Sequence, residues 1–151
     1  MKAFKFRLET LLHLRELAKD KAISEYGKSI RIREEAENNL FAKEQELVGL
    51  RKEIGLRRSS GFSGSEQENY NRSIVRAKEA IINCNSKVQD AISMETAKRK
   101  LYLQADSEYK SLLKLKDNQR IEHLEIETKK EEMELESIIG SRFVFNHSSN
   151  F

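Results

Sequence analysis

Proline and tryptophan are absent from the 151 residues, and cysteine occurs once. An average chain of this length would carry roughly seven prolines, so their absence favours long, uninterrupted helices. Aromatic residues make up only 7% of the chain, which argues against a β-sandwich or an aromatic-lined cofactor fold. The single cysteine, Cys84, excludes an internal disulfide framework and indicates a reducing compartment.

Apolar residues are also scarce, at 38% against the roughly 45–50% of ordinary globular domains. This is too little for a thick core, but it is enough for a narrow stripe along long helices. The 28 basic and 25 acidic residues nearly cancel, to a net charge of +3, which is typical of solvated helix faces. No uncharged run approaches the ~20 residues that span a bilayer, and charges near Met1 argue against a signal peptide. We therefore expect a cytoplasmic protein.

One cluster of small residues, around residues 58–65, divides the chain. We predict a first helix over about 7–54, a loop over about 55–65 and a second helix over about 66–139. Ser65 and Glu68 have the spacing of a capping box, and Gly140 is a plausible C-terminal glycine. Residues 1–140 are thus expected to form a single domain, followed by a tail over 141–151.

The second helix carries apolar or small residues at alternating spacings of four and three, which is the heptad pattern of a left-handed coiled coil. Two charged residues interrupt the pattern. The thirteen positions are Tyr70, Ile74, Ala77, Ile81, Cys84, Val88, Ala91, Glu95, Lys98, Tyr102, Ala105, Tyr109 and Leu112.

The first helix has a similar but less regular pattern. One heptad phase is predicted to hold Leu8, Leu11, Arg15, Ala18, Ala22 and Glu25. A second phase, shifted by one residue, is predicted to hold Arg33, Ala36, Leu40, Lys43, Leu47, Leu50 and Ile54. The change of phase falls beside Gly27, where we expect the supercoil to relax.

Two such helices predict an all-α fold, in which two long helices form an antiparallel coiled-coil hairpin. If Ile54 lies opposite Glu66, the numbers of paired residues add to about 120, and Leu8 lies near Leu112. The second helix is then longer and overhangs from about Ile121. The overhang offers apolar residues without a partner in the chain, which is typical of a binding surface or of a frayed end.

This pairing brings basic residues of both helices to one end of the hairpin, whereas the overhang is rich in glutamate. A basic surface of this kind favours an acidic partner, although each charge could also belong to an ordinary solvated face. The six candidate contacts, named here the basic cluster, are Lys5, Arg7, Arg15, Lys110, Lys114 and Lys116.

The residues of the chain predict no catalytic site, no cofactor and no metal site. A two-helix structure has no concave pocket, and the three histidines have no cysteine or histidine neighbour at metal-ligand spacing. Cys84 lies in the heptad pattern, where a small buried hydrophobe is expected. Acidic and basic residues alternate, which argues against nucleic-acid binding, and the acidic overhang argues against an anionic membrane surface.

The opening stretch Phe4-Lys5-Phe6-Arg7-Leu8-Glu9-Thr10-Leu11-Leu12-His13-Leu14-Arg15-Glu16 resembles the start of the FliJ family of flagellar export proteins. That family opens with an aromatic-basic stretch and a Leu-Glu-x-Leu-Leu-x-Leu-Arg run. The length, the two-helix layout and the Glu/Lys-rich end fit as well, and the resemblance spans about residues 4–139. Family members often carry an Asp-Glu pair where this chain has Leu135-Glu136.

The resemblance implies a stalk-like component of the flagellar type III export apparatus, peripheral to the cell membrane. Its implied partners are the hexameric export ATPase (FliI-like), the export gate protein (FlhA-like) and export chaperones. Tyr70, Ile74, Ala77 and Ile81 align with the gate-binding face, but the same four residues begin the heptad pattern and could pack inside the hairpin. A generic scaffold or homodimer, and the equivalent stalk of a virulence-type secretion system, remain alternatives.

Overall fold

The computed structural model describes residues 2–149 and contains two helices, α1 (Glu9–Ser60) and α2 (Gly64–Ser149). They pack against each other, so the prediction of an all-α helical hairpin is confirmed. No strand occurs in this part of the chain. The described residues fall into two compact units. Unit 1 comprises those of Met1–Lys19 and Ala105–Phe151, and unit 2 comprises Asp20–Gln104. The assignment of residues 1–140 to a single domain stays a prediction.

The connection between the helices is much shorter than the predicted loop over 55–65. Helix α1 continues to Ser60, and Gly61 follows with a φ of 81°, a left-handed conformation that glycine adopts without steric cost. The Ser63 hydroxyl accepts a hydrogen bond from the Glu66 backbone N–H at 3.2 Å. The N-cap is therefore Ser63 and not Ser65, because the Ser-x-x-Glu pattern also fits two residues earlier.

The shorter connection changes the register of the hairpin in unit 2. Arg57 donates a hydrogen bond to the Tyr70 hydroxyl at 3.2 Å, and the rings of Tyr26 and Tyr102 stack with centroids 6.1 Å apart. The numbers of these pairs add to 127 and 128, so the predicted total of about 120 was wrong. Each residue of α1 therefore lies opposite a residue of α2 that is seven or eight positions further along than predicted, which is about two helical turns.

Burial along α2 confirms the predicted heptad positions, because all thirteen residues are buried or half-buried. Along α1 the predicted change of phase at Gly27 was wrong. Leu11 and Ala18 are exposed, whereas Leu12 and Ser29 are buried. One spacing of four and three, which begins at Leu8 just before α1, includes all four buried residues of α1 and most of its half-buried ones. Its positions are Leu8, Leu12, Arg15 and Lys19 in unit 1, and Ala22, Tyr26, Ser29, Arg33, Ala36, Leu40, Lys43, Leu47, Leu50 and Ile54 in unit 2.

The C-terminal boundary also differs from the prediction. Helix α2 continues through Gly140, where we expected it to end, and extends to Ser149. Most of the predicted tail over 141–151 is thus helical, and its last two residues, Asn150 and Phe151, lie outside the described residues. An isolated glycine weakens a helix by only about 1 kcal/mol relative to alanine, so it does not by itself end one.

Candidate interaction surfaces

The interface between the helices of unit 2 contains several polar contacts that replace apolar packing. Arg33 pairs with Glu95, and Lys98 pairs with Glu25 at 3.4 Å. Hydrogen bonds to Glu37 and to Glu95 raise the pKa of the Arg33 guanidinium, so it stays charged. Two charged residues, Glu95 and Lys98, interrupt the apolar pattern of α2. Each of them therefore forms an ion pair with a residue of opposite charge on α1. Such pairs favour one register over a shifted one, because a shift would leave charges without partners.

In unit 1 the segment before α1 packs against α2. The His123 ring donates from Nε2 to the Lys2 carbonyl oxygen at 2.8 Å, and its centroid lies 5.6 Å from that of Phe4. The Lys2 backbone N–H donates to the buried Glu127 carboxylate at 3.5 Å, and Phe6 is only 8% exposed. The expectation that α2 lacks a partner from Ile121 onward was therefore wrong for the stretch up to Glu127.

These contacts give the opening motif a structural role. Phe4, Phe6 and Leu8 are half-buried or buried, whereas Lys5 and Arg7 are exposed. Alternation of this kind is typical of extended backbone, so the sequence contains a signal for a segment that packs against α2 before α1 begins. We name residues 2–7 the docked segment. Neither this signal nor the contacts of His123 and Glu127 was predicted from the sequence.

The four residues aligned with a gate-binding face all lie on the side of α2 that faces α1. Tyr70 accepts the hydrogen bond from Arg57 and contacts the Phe62 ring edge-on at 5.8 Å. Ile74, Ala77 and Ile81 are half-buried. These residues thus pack within the hairpin, and each keeps an exposed fraction. Their role in gate binding stays a prediction.

The six residues of the basic cluster differ in whether they form an ion pair within unit 1. Arg15 pairs with Glu108, Lys110 pairs with Asp106 at 2.8 Å, and Lys116 pairs with Glu9 at 2.8 Å. The remaining three, Lys5, Arg7 and Lys114, are exposed and form no ion pair within residues 2–149. They are the members of the cluster whose charge is available to a partner.

Between residues 128 and 148, α2 has no buried residue. Every side chain from 128 to 148 is exposed, and we name residues 128–149 the C-terminal extension. Its large exposed apolar residues are Met133, Leu135, Ile138, Ile139, Phe143, Val144 and Phe145. Soluble proteins rarely leave so many apolar side chains exposed on one segment unless a partner covers them.

Unit 2 also has a shallow groove of about 420 Å³ beside small residues of the interface. Its lining includes Ile32, Ala36, Cys84, Ala91 and Met94. Cys84 is half-buried there and is not joined to another cysteine.

No group of three or more metal-binding side chains occurs among the described residues. Over the same residues, neither helix is long and apolar enough to cross a membrane.

Comparison with known proteins supports a family assignment. A family model described as Flagellar FliJ protein matches residues 4–144, which is most of the chain and includes all of α1 and α2 as far as Val144. No curated protein and no solved structure matches the chain significantly.

Proposed function

This chain belongs to the flagellar FliJ protein family, and we propose that it serves the export apparatus as a helical stalk. In this proposal it binds the export ATPase ring and links the ring to the export gate and to chaperones, without performing chemistry itself. The observation that carries the proposal is the family match over residues 4–144. Two long helices that present charged outer faces are suited to bridging between larger proteins.

The proposed ATPase contact is the basic cluster. Lys5, Arg7 and Lys114 supply its core because they are exposed and form no ion pair in the described part of the chain. Arg15, Lys110 and Lys116 lie nearby, but their charges are partly compensated by Glu108, Asp106 and Glu9. The fitting partner surface is acidic, and its attraction weakens as salt screens the charges.

The proposed gate contact uses the exposed edges of Tyr70, Ile74, Ala77 and Ile81. These residues also hold α1 and α2 together, so a substitution there would act on folding as well as on binding. A binding measurement on such variants is informative only when their helicity and melting temperature match those of the wild type.

The ATPase contact is tested by charge reversal. A variant carrying Lys5→Glu, Arg7→Glu and Lys114→Glu is expected to bind the cognate export ATPase at least about tenfold more weakly at low salt. The wild-type chain is expected to be retained by the ATPase in a pull-down and to raise its rate of ATP hydrolysis.

The matched control carries Lys28→Glu, Arg31→Glu and Lys52→Glu, which changes the net charge equally at three exposed positions of unit 2. Equal weakening in both variants would mean that only net charge matters, and it would contradict the proposed contact. A wild-type chain that neither binds the ATPase nor alters its rate would overturn the proposed function.

A further inference from the structure

The C-terminal extension leaves its apolar side chains in solvent. All of its side chains from 128 to 148 are exposed, among them Leu135, Ile138 and Phe145 at 58%, 53% and 72%. A helix of this length gains little stability from intrinsic propensity alone, and helices in proteins are stabilised mainly by packing an apolar face. The extension therefore has the properties of one half of a helix pair.

Its sequence has a heptad pattern of its own. Spacings of four and three connect Thr128, Glu131, Leu135, Ile138, Arg142 and Phe145, and the same spacing reaches back to Leu124 just before the extension. This pattern, named here the apolar stripe, is displaced by two residues from the spacing of the α2 positions that face α1, such as Tyr109, Leu112 and Lys116. The stripe thus lies at a different angle around α2 from the surface that α1 covers.

The two charged positions of the stripe determine how it can pair. Glu131 and Arg142 lie symmetrically on either side of the midpoint between Leu135 and Ile138. In a parallel pair of identical helices each charge would meet its own copy, which is unfavourable. In an antiparallel pair centred on that midpoint, Leu135 faces Ile138 and Glu131 faces Arg142 of the second copy. Thr128 then faces Phe145.

We propose that the C-terminal extension pairs with the extension of a second copy of this chain, antiparallel and with Leu135 opposite Ile138. Twofold symmetry produces two Glu131–Arg142 pairs that flank a central apolar cluster of two leucines and two isoleucines. The pairing gives the free chain a dimeric state. It goes beyond the proposed function, and it is measured with the chain alone, so its outcome is independent of ATPase binding.

The first test is sedimentation equilibrium of the full chain between about 1 and 200 µM, a range that covers dissociation constants of weak to moderate dimers. The wild type is expected to change from monomer to dimer within that range. Ile138→Glu is expected to raise the dissociation constant at least about a hundredfold, because a symmetric dimer would then hold two carboxylates in its apolar centre. Met133→Glu is the control, since Met133 is 69% exposed and lies on the opposite side of the extension.

The second test is an exchange of charges. Glu131→Arg and Arg142→Glu are each expected to weaken the dimer at least about tenfold, since each places like charges opposite each other. The double variant Glu131→Arg/Arg142→Glu is expected to restore it, because the opposite charges face each other again. A wild type that stays monomeric throughout, a dimer that is indifferent to Ile138→Glu, or a double variant that fails to recover would overturn the proposal.

Discussion

Replacement of Phe6 by alanine is the most direct test of the docked segment in unit 1. Phe6 is 8% exposed. Four residues earlier, the Lys2 backbone forms hydrogen bonds with His123 and Glu127 of α2. Burying a phenylalanine side chain contributes about 1.5–3 kcal/mol relative to leaving it in solvent. Phe6→Ala removes nearly all of this contribution, so we expect a loss of about 2 kcal/mol in the free energy of unfolding.

Phe41→Ala is the matched control, because Phe41 is 62% exposed on α1. Little more than a third of its side chain is withdrawn from water, which corresponds to a burial contribution of about 1 kcal/mol or less. Alanine regains a few tenths of a kcal/mol through its better helix propensity, so we expect the net change to be below about 0.5 kcal/mol.

Thermal unfolding followed by circular dichroism at 222 nm measures the difference between these two variants. At about 2–4 °C per kcal/mol for a chain of this size, Phe6→Ala should lower the melting temperature by about 4–8 °C. Hydrogen exchange of the first turns of α1 should accelerate at the same time, because the segment that precedes them loses its anchor. Equal melting temperatures for the two variants would refute the docking of Phe6 onto α2.

Two further predictions follow from the register and the connection. Leu12→Ala should cost about 2–3 kcal/mol in the free energy of unfolding, whereas Leu11→Ala should cost less than about 1 kcal/mol, because Leu12 is 6% exposed and Leu11 is 37% exposed. If denaturant titrations gave the larger loss in the free energy of unfolding for Leu11→Ala, the predicted heptad phase that contains Leu11 would be correct. Gly61→Ala should destabilise the hairpin by about 1–2 kcal/mol because φ is 81° there, whereas Gly55→Ala, within α1 and open to solvent, should stabilise it by about 0.5–1 kcal/mol. A Gly61→Ala variant that melts like the wild type would show that the left-handed residue is not needed.

The fold was largely predictable because its main signals are local. Helix formation follows from the lack of proline and from heptad spacing, and the positions of α2 that face α1 could be assigned residue by residue. The end of α1 could not be located, because Gly55 and Gly61 are both helix-ending candidates and only one of them adopts a positive φ. Because of that ambiguity, the predicted register was wrong by about two helical turns.

The residues of the basic cluster could be predicted from the sequence, but their ion-pair partners could not. The basic cluster could be named from the sequence, yet the carboxylates opposite it depend on the register. Lys116 is compensated by Glu9 and Arg15 by Glu108, whereas Lys114 has no acidic partner within residues 2–149. Separations of about 100 residues cannot be inferred from spacing along one helix.

By itself the sequence determined the class of fold, the face of α2 that packs and the family to which the chain belongs. These properties depend on periodicity and on short motifs, both of which are read over neighbouring residues. The tertiary structure decided the heptad phase of α1, the docking of residues 2–7 onto α2, and which charges remain available. Each of these depends on which residue lies opposite which, and that pairing is determined by the length of the connection, from Gly61 to Ser63, together with packing across the two helices.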